Sequence, residues 1–254
     1  MTDFVPGYLS GVYIGAYDWT DQMKSADPTA EREIIDTPVL RTRAKRVFPG
    51  QHSASLDLEG YWYWSQDAGV TDGPEEFFAR MLTSAQRLPV TVTSGGEAIG
   101  DRAKSMQVYK ASYEPVASTD DVIRFTVSLT SDDGMDFGLV AHARAAETAT
   151  TTSTAVDLHA GDNDLAAAGV YTTGRAYLHV LSASASDTLD IDIEHSDDDG
   201  STDPYASAGT FTQVTDEGWQ VISLASLKRY ARVKSTIGGV SPSFSYVVVV
   251  CPLP

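Results

Sequence analysis

The chain is short of positive charge and of cysteine. Its 254 residues carry 18 Lys and Arg against 35 Asp and Glu, a formal net charge of −17, and both halves are acidic. Affinity for nucleic acid comes largely from Lys and Arg neutralising phosphates, so such a surface repels DNA unless its cations are segregated. A single cysteine, Cys251, leaves no disulfide within the chain and suits folding in a reducing compartment. Cys251 follows four valines and reads as a small buried residue. The longest apolar run, YVVVVC, is far short of a bilayer span, and no membrane partner is expected. The opening MTDFVPGYLSGVYIG lacks a basic segment ahead of an apolar core, so no signal peptide is expected.

Catalytic signatures are equally scarce. GEAIGDRAKS holds glycines, a Lys and a Ser, but it lacks the Gly-Lys-Ser/Thr ending of a phosphate loop and reads as a loop before a strand. His52, His142, His159, His179 and His195 include no pair at zinc spacing. There is no Gly-x-Ser-x-Gly elbow. The two carboxylates of a glycosidase need no fixed spacing, so that class stays open. In DIDIEHSDDDG, Asp190, Asp192 and Glu194 alternate on the exposed face of a strand before Asp197, Asp198 and Asp199. An EF-hand fails there, because its first position is His195 and its twelfth Ala206; a solvated turn is the better reading. No enzyme, metal or cofactor is expected.

Hydrophobic patterning predicts a mainly β chain. In SASLDLEGYWYW, Ala54, Leu56, Leu58, Trp62 and Trp64 face one way; Ser55, Asp57, Glu59, Tyr61 and Tyr63 face the other. Ile123, Phe125, Val127 and Leu129 do the same in DVIRFTVSL. DGPEEFFARMLTSAQR predicts one helix, with Pro74 in its first turn, an apolar stripe of Phe77, Phe78, Met81, Leu82 and Ala85, and Pro89 as its stop. ETATTTSTAVD reads as a linker. The expected organisation is 1–147, a linker at 148–156, and 157–254, the last a β-sandwich of short strands.

RTRAKRVFPG, residues 41–50, gathers Arg41, Arg43, Lys45 and Arg46 between Pro38 and Pro49. With DTPVLRTRAKRVFPGQHSASLDLEGYW around it, the helix DGPEEFFARML after it, and GDRAKSMQVYKASYEPVASTDDVIRFTVSLTSDDGMDFGLV closing the segment, residues 8–145 resemble the tail tube (major tail) proteins of long-tailed, non-contractile phages. The second half is similar to sandwich modules of phage virion proteins, in LHVLSASASDTLDIDIEHSDDDGS and RYARVKSTIGGVSPSFSYVVVV.

That resemblance implies a tail-tube-like β-barrel or sandwich with one flanking helix and a long loop, plus a C-terminal Ig-like β-sandwich. It implies self-assembly into hexameric rings, stacked as the tube through which the genome is ejected into the host. It also implies tape measure, tail terminator and tip proteins as partners, genomic DNA passing without specific binding, and a place in the virion tail after assembly in the host cytoplasm. The long loop, here roughly 34–50, would reach neighbouring subunits through Arg41, Arg43, Lys45, Arg46, Val47 and Phe48. Asp120, Asp121, Asp132 and Asp133 are candidate docking acids. Asp57, Glu59, Tyr61 and Tyr63 are candidates for the lumen or a ring contact. The alternatives are a two-domain β-rich carbohydrate-binding protein, or another phage decoration or baseplate protein.

Overall fold

A computed structural model describes residues 10–37, 46–62, 73–84, 86–116, 122–131, 133–159 and 173–253. The protein is mainly β, with one helix among these residues. The chain divides into two units. One holds Met1–Asp21, Pro89–Ser105 and Asp136–Pro254; the other holds Gln22–Leu88 and Met106–Met135.

The first unit contains β1 (Val12–Ile14), β2 (Tyr17–Asp18), most of β5 (Leu88–Ser94), the start of β6 (Arg102–Val116) and β8 (Asp136–Glu147). It also contains β9 (Thr151–Thr152), β10 (Val156–Asp157), β11 (Thr173–Ala183), β12 (Thr188–Ser196), β13 (Ala206–Thr210), β14 (Gly218–Ala225), β15 (Tyr230–Gly238) and β16 (Phe244–Leu253). One sheet runs β14-β11-β16-β8-β6-β5-β1-β2, and a second runs β10-β15-β12-β13 with β9 also on β15. Between the sheets lies a core that includes Leu139, Ala141, Leu178, Ile191, Ile193, Val233, Val248 and Val250. Alternate residues of the first sheet point the other way. Tyr177, Val247, Val249 and Cys251 cluster there with Tyr13, Ala103 and Val140. This explains YVVVVC: a strand buried on both faces needs apolar residues at every position, not alternate ones.

The second apolar cluster closes over a directed polar chain. His179 is fully buried, with Nδ1 2.7 Å from the Gly15 carbonyl and Nε2 2.8 Å from Thr91 Oγ1. A carbonyl only accepts, so Nδ1 carries the hydrogen and Nε2 accepts from Thr91. Thr91 Oγ1 then accepts from Ser105 Oγ, 2.9 Å away. Nearby, Tyr177 donates to Asp136 Oδ2 at 2.6 Å, and Arg175 pairs with the same carboxylate at 3.3 Å. Every one of these buried polar groups has a partner, as burial requires.

The second unit holds β3 (Met23–Thr37), β4 (Arg46–Tyr61), α1 (Pro74–Thr83), the rest of β6 and β7 (Arg124–Ser131). The strands lie in the order β3-β4-β7-β6. Ala54, Leu56 and Leu58 are buried with Phe125, Val127 and Leu129, in the phase expected. Helix α1 buries Phe77, Phe78 and Met81. The Phe78 ring meets Tyr113 at 5.7 Å and Phe125 at 5.5 Å, so the helix covers the apolar face of the sheet.

Three expectations change. The helix ends at Thr83, where Ser84 turns extended and donates to the Arg80 carbonyl; Pro89 lies in β5 instead. Leu82 is exposed, so the apolar stripe is narrower than expected. Residues 148–156 carry β9 and the start of β10, both paired to β15, and Val156 is buried. The ladder from Phe244↔Glu147 to Val250↔Leu139 ties β16 to β8, so the first unit draws strands from both 1–147 and 157–254.

Candidate assembly surface

The outward face of the second unit is polar by register. Asp27 lies opposite Asp57, Asp57 opposite Ser128, Glu59 opposite Thr126, and Thr126 opposite Glu114. In a strand pair, opposite residues share a face, so these side chains form one surface. Asp57 accepts from Ser128 Oγ. Glu59 pairs with Lys24 at 2.8 Å and Arg124 at 3.4 Å. The hydrogen bond from Lys24 holds its carboxyl below the usual range. Tyr61 is exposed at the end of this row, opposite Arg124. Thus Asp57, Glu59 and Tyr61 lie together, as their alternation predicts. Lys24, Asp27 and Arg124 join them from neighbouring strands, which no single-strand pattern could reveal.

The second feature is a ribbon. Pairing of β4 with β7 stops at Ala54↔Ser131, whereas pairing of β3 with β4 continues to Thr37↔Arg46. About seven residues of each strand therefore project beyond the sheet, roughly 24 Å at strand rise. Residues 29–34 and 51–53 are exposed on both faces, and Ile34 is 69% exposed. Among the described residues, the outer edge of β3 has no strand partner. Pro28 sits within β3, a position that an edge strand tolerates.

The expected loop at 34–50 is corrected at both ends: residues 34–37 belong to β3 and 46–50 to β4, while 38–45 lie outside the described residues. Ile34, Ile35, Asp36 and Thr37 pair with Pro49, Phe48, Val47 and Arg46. Pro49-Gly50 does not break the strand, because the register shifts between Arg32 and Ile34. Two residues of β4, Gly50 and Gln51, oppose Glu33 in a bulge. A Cβ at Gly50 would lie 2.8 Å from the Glu33 Cβ, so this crossing needs glycine.

Of the other predicted residues, Arg41, Arg43, Lys45, Tyr63, Asp120, Asp121 and Asp132 lie outside the described residues. Arg46, Val47 and Phe48 are placed by their backbone in β4. Asp133 is exposed, and its N–H donates to Ser131 Oγ at 3.3 Å.

The acidic segment is internally satisfied. Asp190 accepts from Gln213, and Asp192 accepts from Ser207 and Thr210. Glu194 is buried beneath Arg232 and Lys234, rather than exposed as expected. Burial disfavours its charge, but those two cations outweigh it and lower its pKa. Asp198 accepts from Thr202 Oγ1 and from the N–H groups of Ser201, Thr202 and Asp203. Tyr205 lies under the Arg232 guanidinium, 3.7 Å from its ring centroid, so its ring face is occupied. Among the described residues, no group of three or more His, Cys, Asp or Glu is placed to hold a metal ion. No helix of the described residues is long and apolar enough to cross a membrane.

No family model matches the sequence, and no curated protein matches it. Solved structures similar to it include the tail of an empty gene transfer agent particle with C6 symmetry, at 13% identity and a TM-score of 0.36, over 46% of this chain and 81% of that one. The SPP1 tail tube is similar at 11% identity and a TM-score of 0.41, over 52% of this chain and 78% of that one. The SPP1 Dit protein, a hub of the adsorption apparatus in phages infecting Gram-positive bacteria, is similar at 11% identity and a TM-score of 0.36, over 96% of this chain and 99% of that one.

Proposed function

We propose that this chain is a structural, non-enzymatic component of a phage tail. It assembles with copies of itself into six-fold rings that stack as the tail tube, the conduit for genome ejection. The observation that carries this reading is the projecting ribbon. A two-stranded ribbon with no core of its own is marginal in water. Its open edge offers a row of backbone donors and acceptors for another chain to pair with. A ring closes through such head-to-tail contacts, one surface meeting a different one on the neighbour.

In this reading, Arg41, Arg43, Lys45 and Arg46 dock on acids of the next copy, with Asp120, Asp121, Asp132 and Asp133 as candidates. Opposite charges there fix register and orientation more than they add affinity. The face bearing Asp27, Asp57, Glu59 and Glu114 lines the bore, where like charge lets DNA slide without gripping. The first unit, to which residues 157–254 contribute most strands, decorates the outside of the tube. Tape measure, terminator and tip proteins are the expected partners, and the virion tail the location.

Negative-stain electron microscopy of the concentrated protein at two salt levels tests this. Hollow tubes with six-fold end views support it. Rings that never stack would replace the tube by a single-ring hub or baseplate part. Monomers at every concentration, and in the presence of a tail-tip nucleus, would overturn self-assembly and direct the search to glycan binding.

A further inference from the structure

We propose that residues 147–153 form an acid-released strap: protonation of His142 inside the first unit frees β9 from β15 and opens a strand edge that neutral pH keeps paired.

His142 is 4% exposed and lies opposite Val248 in the ladder between β8 and β16, whose register shifts on both sides of that pair. Such a bulge re-aims a side chain, and here the imidazole stacks on the buried Tyr246 ring, 4.2 Å between centroids at 17°. Nε2 lies 3.5 Å from Glu147 Oε1, and Nδ1 is buried with no hydrogen-bond partner. The Tyr246 and Ala143 carbonyls lie near the ring, but neither is aligned to accept. A carboxylate only accepts, so the neutral ring carries its hydrogen on Nε2. A second proton would have to enter at Nδ1, where the closed structure offers it no acceptor.

The groups around the ring fix the direction of the response. From β8 comes Glu147, the charged group among the described residues that acts on it; its attraction and the two carbonyls favour the cation. From β16 comes the Tyr246 phenol, which burial pushes up to about 12 and so keeps neutral. From β15 and β9 come the Ser235 hydroxyl and the Thr151 carbonyl, which do not titrate. Burial outweighs the attraction and holds the His142 imidazole below its ordinary value. A histidine depressed in the closed state takes its proton preferentially in an open one. Opening therefore grows as pH falls below about 6.5, by up to about ten-fold per pH step.

The strap is the weakest segment beside this ring. After Glu147 the chain crosses from β8 in one sheet to β9 on β15 in the other. The Tyr246 hydroxyl points towards Ser235 of β15, whose Oγ donates to the Thr151 carbonyl at 3.3 Å, so ring and strap meet through one side chain. Strand β9 pairs with β15 over two residues, Thr151↔Ser235 and Thr152↔Lys234. Ser153 N–H donates to the Val233 carbonyl at 2.8 Å, Val233 N–H to Ser153 Oγ at 2.9 Å, and Ile237 N–H to Thr150 Oγ1 at 3.1 Å. Thr148, Ala149, Thr150 and Thr152 are exposed, so no buried apolar side chain anchors the segment before Val156. A short segment with few buried contacts opens at far lower cost than the core. Its release lets water reach His142 Nδ1 and bares the backbone of β15 from Val233 to Ile237, a row of donors and acceptors for another strand.

Hydrogen exchange of the full chain tests this, read by mass spectrometry on peptides covering 147–153 and 231–238 and corrected for the pH dependence of the exchange chemistry. Protection of both peptides is expected to fall roughly ten-fold between pH 7 and 5 in the wild type. His142→Phe keeps a ring on Tyr246 but does not titrate, and it is expected to hold its protection over that range. Equal losses in the two proteins, or no loss in the wild type, would overturn the proposal. A second variant does not touch the interior: Thr152→Cys with Lys234→Cys places two cysteines opposite each other on the exposed face, with native Cys251 buried and left in place. Oxidation pins the strap. The His142 imidazole, followed by NMR, is then expected to titrate at lower pH in the oxidised form than in the reduced form, because the open state that takes the proton is gone. The same titration in both forms would show that protonation does not use the strap, and the proposal would fall.

Discussion

Acidification tests the buried polar chain in the first unit. Burial pushes the His179 pKa down to about 4, with the Gly15 carbonyl pulling weakly the other way. In the unfolded chain its pKa is near the ordinary 6.5. A depressed histidine pKa means that the unfolded state binds the extra proton first. Stability is therefore complete above about pH 6.5 and falls as pH drops towards 4. The gap between 6.5 and about 4, at 1.36 kcal/mol per pH step, amounts to about 3 kcal/mol. The geometry gives the cause: a proton on Nε2 would face Thr91 Oγ1, whose own hydrogen now points there. The assay is urea unfolding at pH 7, 6, 5 and 4, for wild type and His179→Gln. Glutamine keeps one donor for Gly15 and one acceptor for Thr91 but does not titrate. His142 also has its pKa lowered by burial, against the pull of Glu147, so the informative quantity is the difference between the two proteins. That difference should narrow by about 3 kcal/mol between pH 7 and 4. Parallel curves would refute the assignment of a neutral, donor-at-Nδ1 histidine.

Further outcomes are expected elsewhere. Replacing residues 33–51 by Asn-Gly closes the hairpin at the Arg32–His52 pair; unfolding should change by no more than about 0.5 kcal/mol, while assembly in the microscope should be lost. Asp57→Lys with Glu59→Lys should make assembled particles retain DNA on a filter at low salt, with retention falling steeply as salt rises; wild-type particles should retain none. A chain ending at Val156 should give an unfolded NMR spectrum. It loses β16, whose buried Phe244, Tyr246, Val247, Val248, Val249, Val250 and Cys251 contribute about 1.5–3 kcal/mol each, together comparable to the whole stability of a domain. A well-dispersed spectrum from that fragment would support 157–254 as a separable module.

The parts of the fold legible in the sequence are those with a buried face and a free one. Ala54, Leu56 and Leu58 announced β4 and its exposed row because burial alternates there. Strand β3 was silent for the opposite reason. MKSADPTAEREIIDT has no apolar alternation, since its outer part is exposed on both sides and is shaped by pairing with β4 alone. Pro49-Gly50 spoke for a loop, and a bulge absorbed it. Of the candidate surface, Asp57, Glu59 and Tyr61 followed from their own strand. The Asp27 and Lys24 beside them depend on register, which one strand's sequence does not carry. His179 could be seen to lie in a strand, but its chain of three hydrogen bonds joins four residues spread along the sequence.

Strand β16 sits between β8 and β11, yet it is translated after both. While a ribosome makes the intervening chain, β8 waits with an open edge for about a hundred residues. At about 5–20 residues per second, that is roughly 5–20 s of exposure to other nascent chains. The first unit thus has a clock in its topology. Slower translation lengthens the vulnerable interval, and faster release of Phe244–Leu253 ends it. Yield of soluble protein should accordingly depend on elongation rate and on chaperones that cover strand edges, more than on the stability of the finished fold.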